Sequence, residues 1–235
     1  MVVRPRESNL RSIVREVRDT TRFFLNPPVW DDVLTDDLPF GVEANDRFRD
    51  ALSKSTSYLE FGSGSSTFVA AALGSRFVTV ESDPRFLNAV ERRCSRIAIE
   101  RGEFDATGTY LYANIGRTGP WGVPTYRLRT GSTAQRWSRY PLAPWSALGE
   151  SYRADLILVD GRFRLACALA MMVHQPEGAW TLLLDDYAER PQYSELRDVA
   201  DLQEMWGRMA VFGPKPGSDP EKVAVYLSRY LTDWR

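Results

Sequence analysis

Five short apolar runs constrain this chain more than any other feature. They occupy residues 58–61, 77–81, 110–114, 155–160 and 180–185, and stretches with helical spacing lie between them at about 66–73, 84–97 and 163–174. Strands that are apolar almost throughout are buried on both faces, as in a parallel sheet covered by helices. Their alternation with helical patterns implies βαβ units joined by right-handed crossovers. The expectation is an α/β fold with a doubly wound, mostly parallel sheet. Two further runs, 208–212 and 223–228, flank Gly213-Pro214-Lys215-Pro216-Gly217, which predicts an antiparallel pair at the sheet edge.

A length of 235 residues suits one large domain. Residues 8–25 place Leu10, Ile13, Val14, Val17, Phe23 and Phe24 at the spacing of an amphipathic helix, and Asn26-Pro27-Pro28 ends it. An acidic linker and a short helix at about 45–53 follow. The chain therefore divides into an N-terminal helical extension with its linker, 1–44, and a main domain, 45–235. Within the latter, 116–148 fits no element. It carries Trp121, Trp137, Trp145 and five arginines (Arg117, Arg127, Arg129, Arg136, Arg139), and reads as a loop inserted over the carboxyl ends of the strands.

Thirty basic side chains against thirty-one acidic ones, a net charge of -1, leave no electrostatic footprint for nucleic acid. Cys94 and Cys167 have no Cys-x-x-Cys partner, which argues against a disulfide framework or zinc cluster. The arginine-rich start has no apolar run after it, unlike a signal peptide, and the longest apolar stretch, 165–173, is too short to span a membrane. A cytoplasmic protein with no membrane span is expected.

The strongest local signal is Glu60-Phe61-Gly62-Ser63-Gly64-Ser65-Ser66-Thr67, a strand running into a Gly-x-Gly turn and a serine-rich helix start. The glycines permit close backbone approach to a ligand, and the free N–H groups of a helix start suit polar groups. Glu81 closes the second strand about twenty residues later, where a carboxylate accepts hydrogen bonds from both hydroxyls of a ribose. Thr67 replaces the third glycine of a dinucleotide site, no phosphate-binding lysine follows, and Glu60 suits a cationic ligand better than a diphosphate.

On these residues the chain resembles the class I S-adenosylmethionine-dependent methyltransferases. Glu60-Phe61-Gly62-Ser63-Gly64 is similar to their first motif, Val80-Glu81 to the second, and Val159-Asp160-Gly161 to the one after strand four. The resemblance covers about 58–228 and implies a Rossmann-like sheet of seven strands, the last antiparallel. It implies a cofactor set of Glu60, Gly62, Gly64, Ser65, Ser66, Glu81, Asn114 and Asp160 around S-adenosyl-L-methionine.

Asp160 closes strand four, and Asp185 and Asp186 close strand five. Three carboxylates at one sheet edge repel unless a hard cation or positive side chains neutralise them. This resembles the divalent-metal-dependent O-methyltransferases, including macrolide-sugar enzymes. The resemblance implies Mg2+ held by Asp160, Asp185 and Asp186, with Asp160 and Asp185 catalytic. The opposing reading has Asp160 paired with Arg162 or Arg164 and one of the other two capping a helix. Arg162, Arg164, Tyr187, Arg190 and Tyr193 lie just beyond the strand ends as candidate acceptor-binding residues, while His174 falls at the opposite edge. The expected activity is O-methylation of a hydroxyl on a sugar, oligosaccharide or similar small molecule, with a homodimer allowed. A metal-dependent glycosyltransferase and a non-catalytic methyltransferase-like subunit are the alternatives.

Overall fold

The computed structural model describes residues 18–23, 25, 28–102, 108–126, 130–176 and 178–234. Of the expected N-terminal helix, 18–23 and 25 are helical; the rest, including Leu10, Ile13, Val14, Val17 and Phe24, lies outside the described residues, as do Arg127 and Arg129. Seven strands form one sheet: β1 Tyr58–Phe61, β2 Phe77–Glu81, β3 Gly108–Tyr112, β4 Leu156–Val159, β5 Thr181–Leu184, β6 Ala200–Trp206 and β7 Met209–Pro214. Their order is β3-β2-β1-β4-β5-β7-β6, with β1 to β5 parallel and β7 antiparallel to both β5 and β6. The expected Rossmann-like α/β architecture is present.

Helices cover both faces: α1 Trp30–Val33, α2 Val42–Lys54, α3 Ser65–Leu73, α4 Pro84–Glu100, α5 Gly131–Trp137, α6 Arg139–Leu148, α7 Arg164–His174 and α8 Pro220–Tyr230. The period of two along each strand sorts the core into two layers. Leu59, Phe61, Val78, Val80, Ile157 and Val159 face the layer of α6 and α7; Tyr58, Phe77, Leu156 and Leu158 face that of α2, α3 and α4. α2 belongs to this core, because Phe48 is wholly buried and makes edge contacts with Phe40 and Tyr58.

Two expectations are corrected. The edge pair is β6 with β7, and residues 223–228 lie in α8, where Asp219 caps the first turn and Pro220 stands at its start. The stretch 116–148 is only partly a loop. Its second half forms α5 and α6, the crossover from β3 to β4, and buries Trp137, Tyr140 and Trp145 against the sheet and α7. Pro144 inside α6 hides the helix from a reading of periodicity.

The chain leaves β1 toward β2 and β3, then returns to lay β4 and β5 on the other side. Ligands of open α/β sheets bind at such a switch point, outside the carboxyl ends of the strands. Here it lies between β1 and β4, where Gly62 follows one strand and Asp160 the other. If α2 is integral to the fold, Phe48→Ala should lower unfolding free energy by about 3–5 kcal/mol, read from denaturant melts.

Candidate active site

At the switch point two glycines let the strand ends touch. Gly161 N–H donates to Phe61 O at 2.6 Å, and Gly62 N–H to Val80 O at 2.9 Å. A Cβ on Gly62, whose φ is +99°, would stand 2.6 Å from Gly161 N; one on Gly161 would overlap the Tyr140 hydroxyl. Nothing lies within 4 Å of the corresponding position on Gly64, so the turn is open to the cleft there.

Glu60 holds this turn from behind. It is fully buried on the α3 face, where Tyr58 and Ser66 hydroxyls donate to its Oε2 at 2.8 and 2.7 Å and the Thr67 hydroxyl donates to Oε1. Thr67 Oγ1 in turn accepts from Gly64 N–H at 2.9 Å. Burial pushes the Glu60 carboxyl up, and the three hydroxyls oppose that shift. Glu60 and Ser66 are therefore committed to each other at the start of α3, whereas the sequence placed both against a ligand. Ser65 is half-exposed at the turn.

Glu81 ends β2 across the cleft. Its Oε1 accepts from the backbone N–H groups of Ser82 and Asp83, while Oε2 accepts from the Ser63 hydroxyl at a longer 3.4 Å. Oε2 is the oxygen left for a ligand. Beside Glu81, a groove of 430 Å³ runs past Trp30, Asp83, Tyr112, Asn114 and Gly116. Asn114 spends its side-chain oxygen on Gly116 N–H at 3.0 Å. Trp30 comes from the N-terminal extension and packs edge-on against Phe86. It is a wall residue that only the tertiary structure brings to the groove. The turn Pro120–Gly122 packs over the same place, since a Cβ on Gly122 would lie 2.9 Å from Ser82 Oγ and 3.9 Å from Glu81 Oε1.

The three aspartates do converge, but onto arginines. Asp185, 1% exposed, takes a bidentate pair from Arg208, with both contacts at 2.8 Å. Asp186 lies 3.0 Å from Arg164 and 3.1 Å from Arg190. Arg164 also bonds Asp160 Oδ1 at 3.0 Å and donates to the carbonyls of Asp160, Gly161 and Asp185. Among the described residues no group of three acidic, histidine or cysteine side chains could hold a metal ion. The expected Mg2+ site at Asp160, Asp185 and Asp186 is thus corrected: guanidinium groups fill the coordinating directions of the carboxylates. The pairing of Asp160 with Arg164 is the opposing reading of the sequence. Arg208, which carries the neutralisation of Asp185, is invisible to a local reading of the sequence because it approaches from the turn between β6 and β7.

Asp160 keeps 29% of its side chain exposed. Burial pushes its carboxyl up to about 7; Arg164 opposes this, and Asp185 and Asp186 reinforce it. Arg164 is buried in the network, and the Tyr187 hydroxyl accepts from Arg197 Nε at 2.9 Å. Tyr193 is 1% exposed, with the Arg190 guanidinium over its ring. His174 stacks on Trp145 and lies 2.7 Å from Glu150, away from the cleft. Among the described residues, the three non-glycine positions with positive φ are Trp121, Phe163 and Asp186, and all border this region. Strained backbone of this kind concentrates at functional sites.

No family model and no curated protein matches the chain. Among solved structures, it is similar to a methyltransferase-like protein from Silicibacter pomeroyi. The two are 32% identical over 84% of this chain and 97% of that one, with a TM-score of 0.69. A TehB-like SAM-dependent methyltransferase from Corynebacterium glutamicum is 12% identical over 88% of this chain and 99% of that one, with a TM-score of 0.41.

If arginines neutralise the aspartates, the melting temperature should be equal in excess magnesium and in EDTA, since a cation that binds the native state would raise it. Asp185→Asn should cost about 1.5–3 kcal/mol by weakening the bidentate bond from Arg208, whose own side chain stays 35% exposed. A magnesium-dependent rise in the wild-type melting temperature would restore the metal reading.

Proposed function

The chain belongs to the methyltransferase-like family represented by the Silicibacter pomeroyi protein, and on that premise we propose that it transfers a methyl group from S-adenosylmethionine to a hydroxyl oxygen of a small polar acceptor. One observation supports this most: the open Gly62–Gly64 turn and the spare oxygen of Glu81 face one crevice at the topological switch point.

The residues present fit the cofactor. Glu81 Oε2 would accept the ribose hydroxyls, and the 430 Å³ groove past Trp30 and Tyr112 would take the adenine. The space above Gly64 would admit the amino-acid part. When bound, the cofactor supplies an electrophilic methyl group on a sulfonium. Asp160, partly exposed beside the Gly62 turn, would accept the proton of the acceptor hydroxyl. Arg164 fixes that carboxylate through Oδ1. Of the three tryptophans in 116–148, Trp121, 87% exposed, could stack on a neutral sugar ring, while Trp137 and Trp145 are core residues. A glycosyltransferase would need Asp185 and Asp186 for its metal, and both are taken by arginines.

Glu81→Ala should weaken S-adenosylmethionine about ten- to hundredfold in calorimetry, the loss expected for hydrogen bonds to a charged acceptor. Unchanged affinity in a folded variant would refute the ribose assignment. Asp160→Asn should bind the cofactor nearly as the wild type does yet lose turnover by about 10²–10⁴-fold in an acceptor assay. Full turnover would remove Asp160 as base, and a wild type that binds without turning over any acceptor would favour a non-catalytic subunit.

A further inference from the structure

The cluster beyond β4 and β5 contains four arginines, Arg162, Arg164, Arg190 and Arg208, and three aspartates. Three of the arginines have carboxylate partners. Arg162 has no ion pair among the described residues, and its Nε is buried with no hydrogen-bond partner. Its surroundings are Arg164, Arg190, Tyr140 and Tyr193. Burial, followed by the charges of Arg164 and Arg190, pulls its pKa below the usual value. The cluster therefore holds one positive charge more than its carboxylates balance. Arg162 is half-buried, and a buried guanidinium nitrogen without a partner is costly, yet the fold keeps an unpaired donor beside the cleft. Arg162 follows Gly161 directly, and its Cγ would lie 3.6 Å from a Cβ on Gly122, the glycine that also covers Glu81. No ion pair joins Glu81 to Arg162 among the described residues, and Glu81 Oε1 accepts instead from the amides of Ser82 and Asp83.

We propose that Arg162, with Arg190 beside it, binds an oxyanion carried by the methyl acceptor, a carboxylate or a phosphate, so that the substrate is an acidic small molecule and not a neutral sugar. Assigning the anion to the acceptor rests on the methyl-transfer reading of the cleft; the anion site itself does not. Guanidinium suits both anions because its planar donors match their oxygens in pairs.

The test is a titration of sodium phosphate and, separately, sodium acetate into the full chain at constant ionic strength, with and without S-adenosylhomocysteine. One of the two should bind saturably, and which one does assigns the group as phosphate or carboxylate. Arg162→Gln should weaken that anion about ten- to hundredfold, Arg162→Lys should weaken it less, and S-adenosylhomocysteine affinity should hold in both. Without anion, Arg162→Gln should melt no lower than the wild type, since it removes an uncompensated charge; a residue with a purely structural role would melt lower. The proposal is overturned if neither anion binds, if Arg162→Gln binds the anion as the wild type does, or if that variant loses S-adenosylhomocysteine in parallel, which would place Arg162 on the cofactor's own carboxylate. Failure of S-adenosylhomocysteine to bind the wild type would instead defeat the methyl-transfer reading, while the anion titration alone still reports on Arg162.

Discussion

The Arg164 guanidinium ties the site together. It is 4% exposed and stands at the first position of α7. Its donors reach the carbonyls of Asp160, Gly161 and Asp185, and it pairs with the side chains of Asp160 and Asp186. Without that charge, three carboxylates delivered by two neighbouring strands would repel one another in a medium that screens poorly. With it, and with Arg208 from the β6–β7 turn on Asp185, the strand ends are locked and Asp160 stays at the rim. The protein thereby does with guanidinium groups what a cation could do at the same edge. Protein-bound charge also has fixed direction, which leaves one carboxylate partly free while the others are sealed.

The turn between β1 and α3 is built on the same plan. Glu60 is sealed under the first turn of α3, where a negative charge also suits the positive end of the helix dipole. Thr67 relays its hold to Gly64 N–H. Gly62 and Gly161 approach so closely that neither position accommodates a side chain. A rigid floor, the partly exposed Asp160 carboxylate at its edge and a groove along one side follow from these few contacts. The strained residues Phe163 and Asp186 each come just after one of the strand ends that Arg164 joins.

Much of this was legible in the sequence. The five parallel strands, the glycine turn and Glu81 carry strong local signals, because apolar runs and glycines act over a few residues. Even the direction of Glu60 was available in principle: it alternates with Leu59 and Phe61 and so shares the face of Tyr58. β6, an edge strand with exposed residues such as Asp201 and Glu204, shows no apolar run and leaves no local signal. The run 223–228 is short enough to suit a strand as well as a helix, and the stronger signal for α8 is the helix start at Asp219-Pro220. The fate of the aspartates was not legible. Which charge meets Asp185 depends on β7 returning antiparallel beside β5, a long-range pairing that brings Arg208 in from twenty-three residues away. The groove wall at Trp30 has the same origin, since it depends on how the N-terminal extension packs against Phe86.

On the proposed function, the crevice between β1 and β4 takes a methyl donor without help from a metal. Calorimetric titration of the unmodified chain with S-adenosylhomocysteine in excess EDTA tests it most directly. The account predicts saturable binding of one molecule per chain, unchanged when magnesium replaces the chelator. Absence of binding in both buffers, or binding that appears only with magnesium, would contradict it.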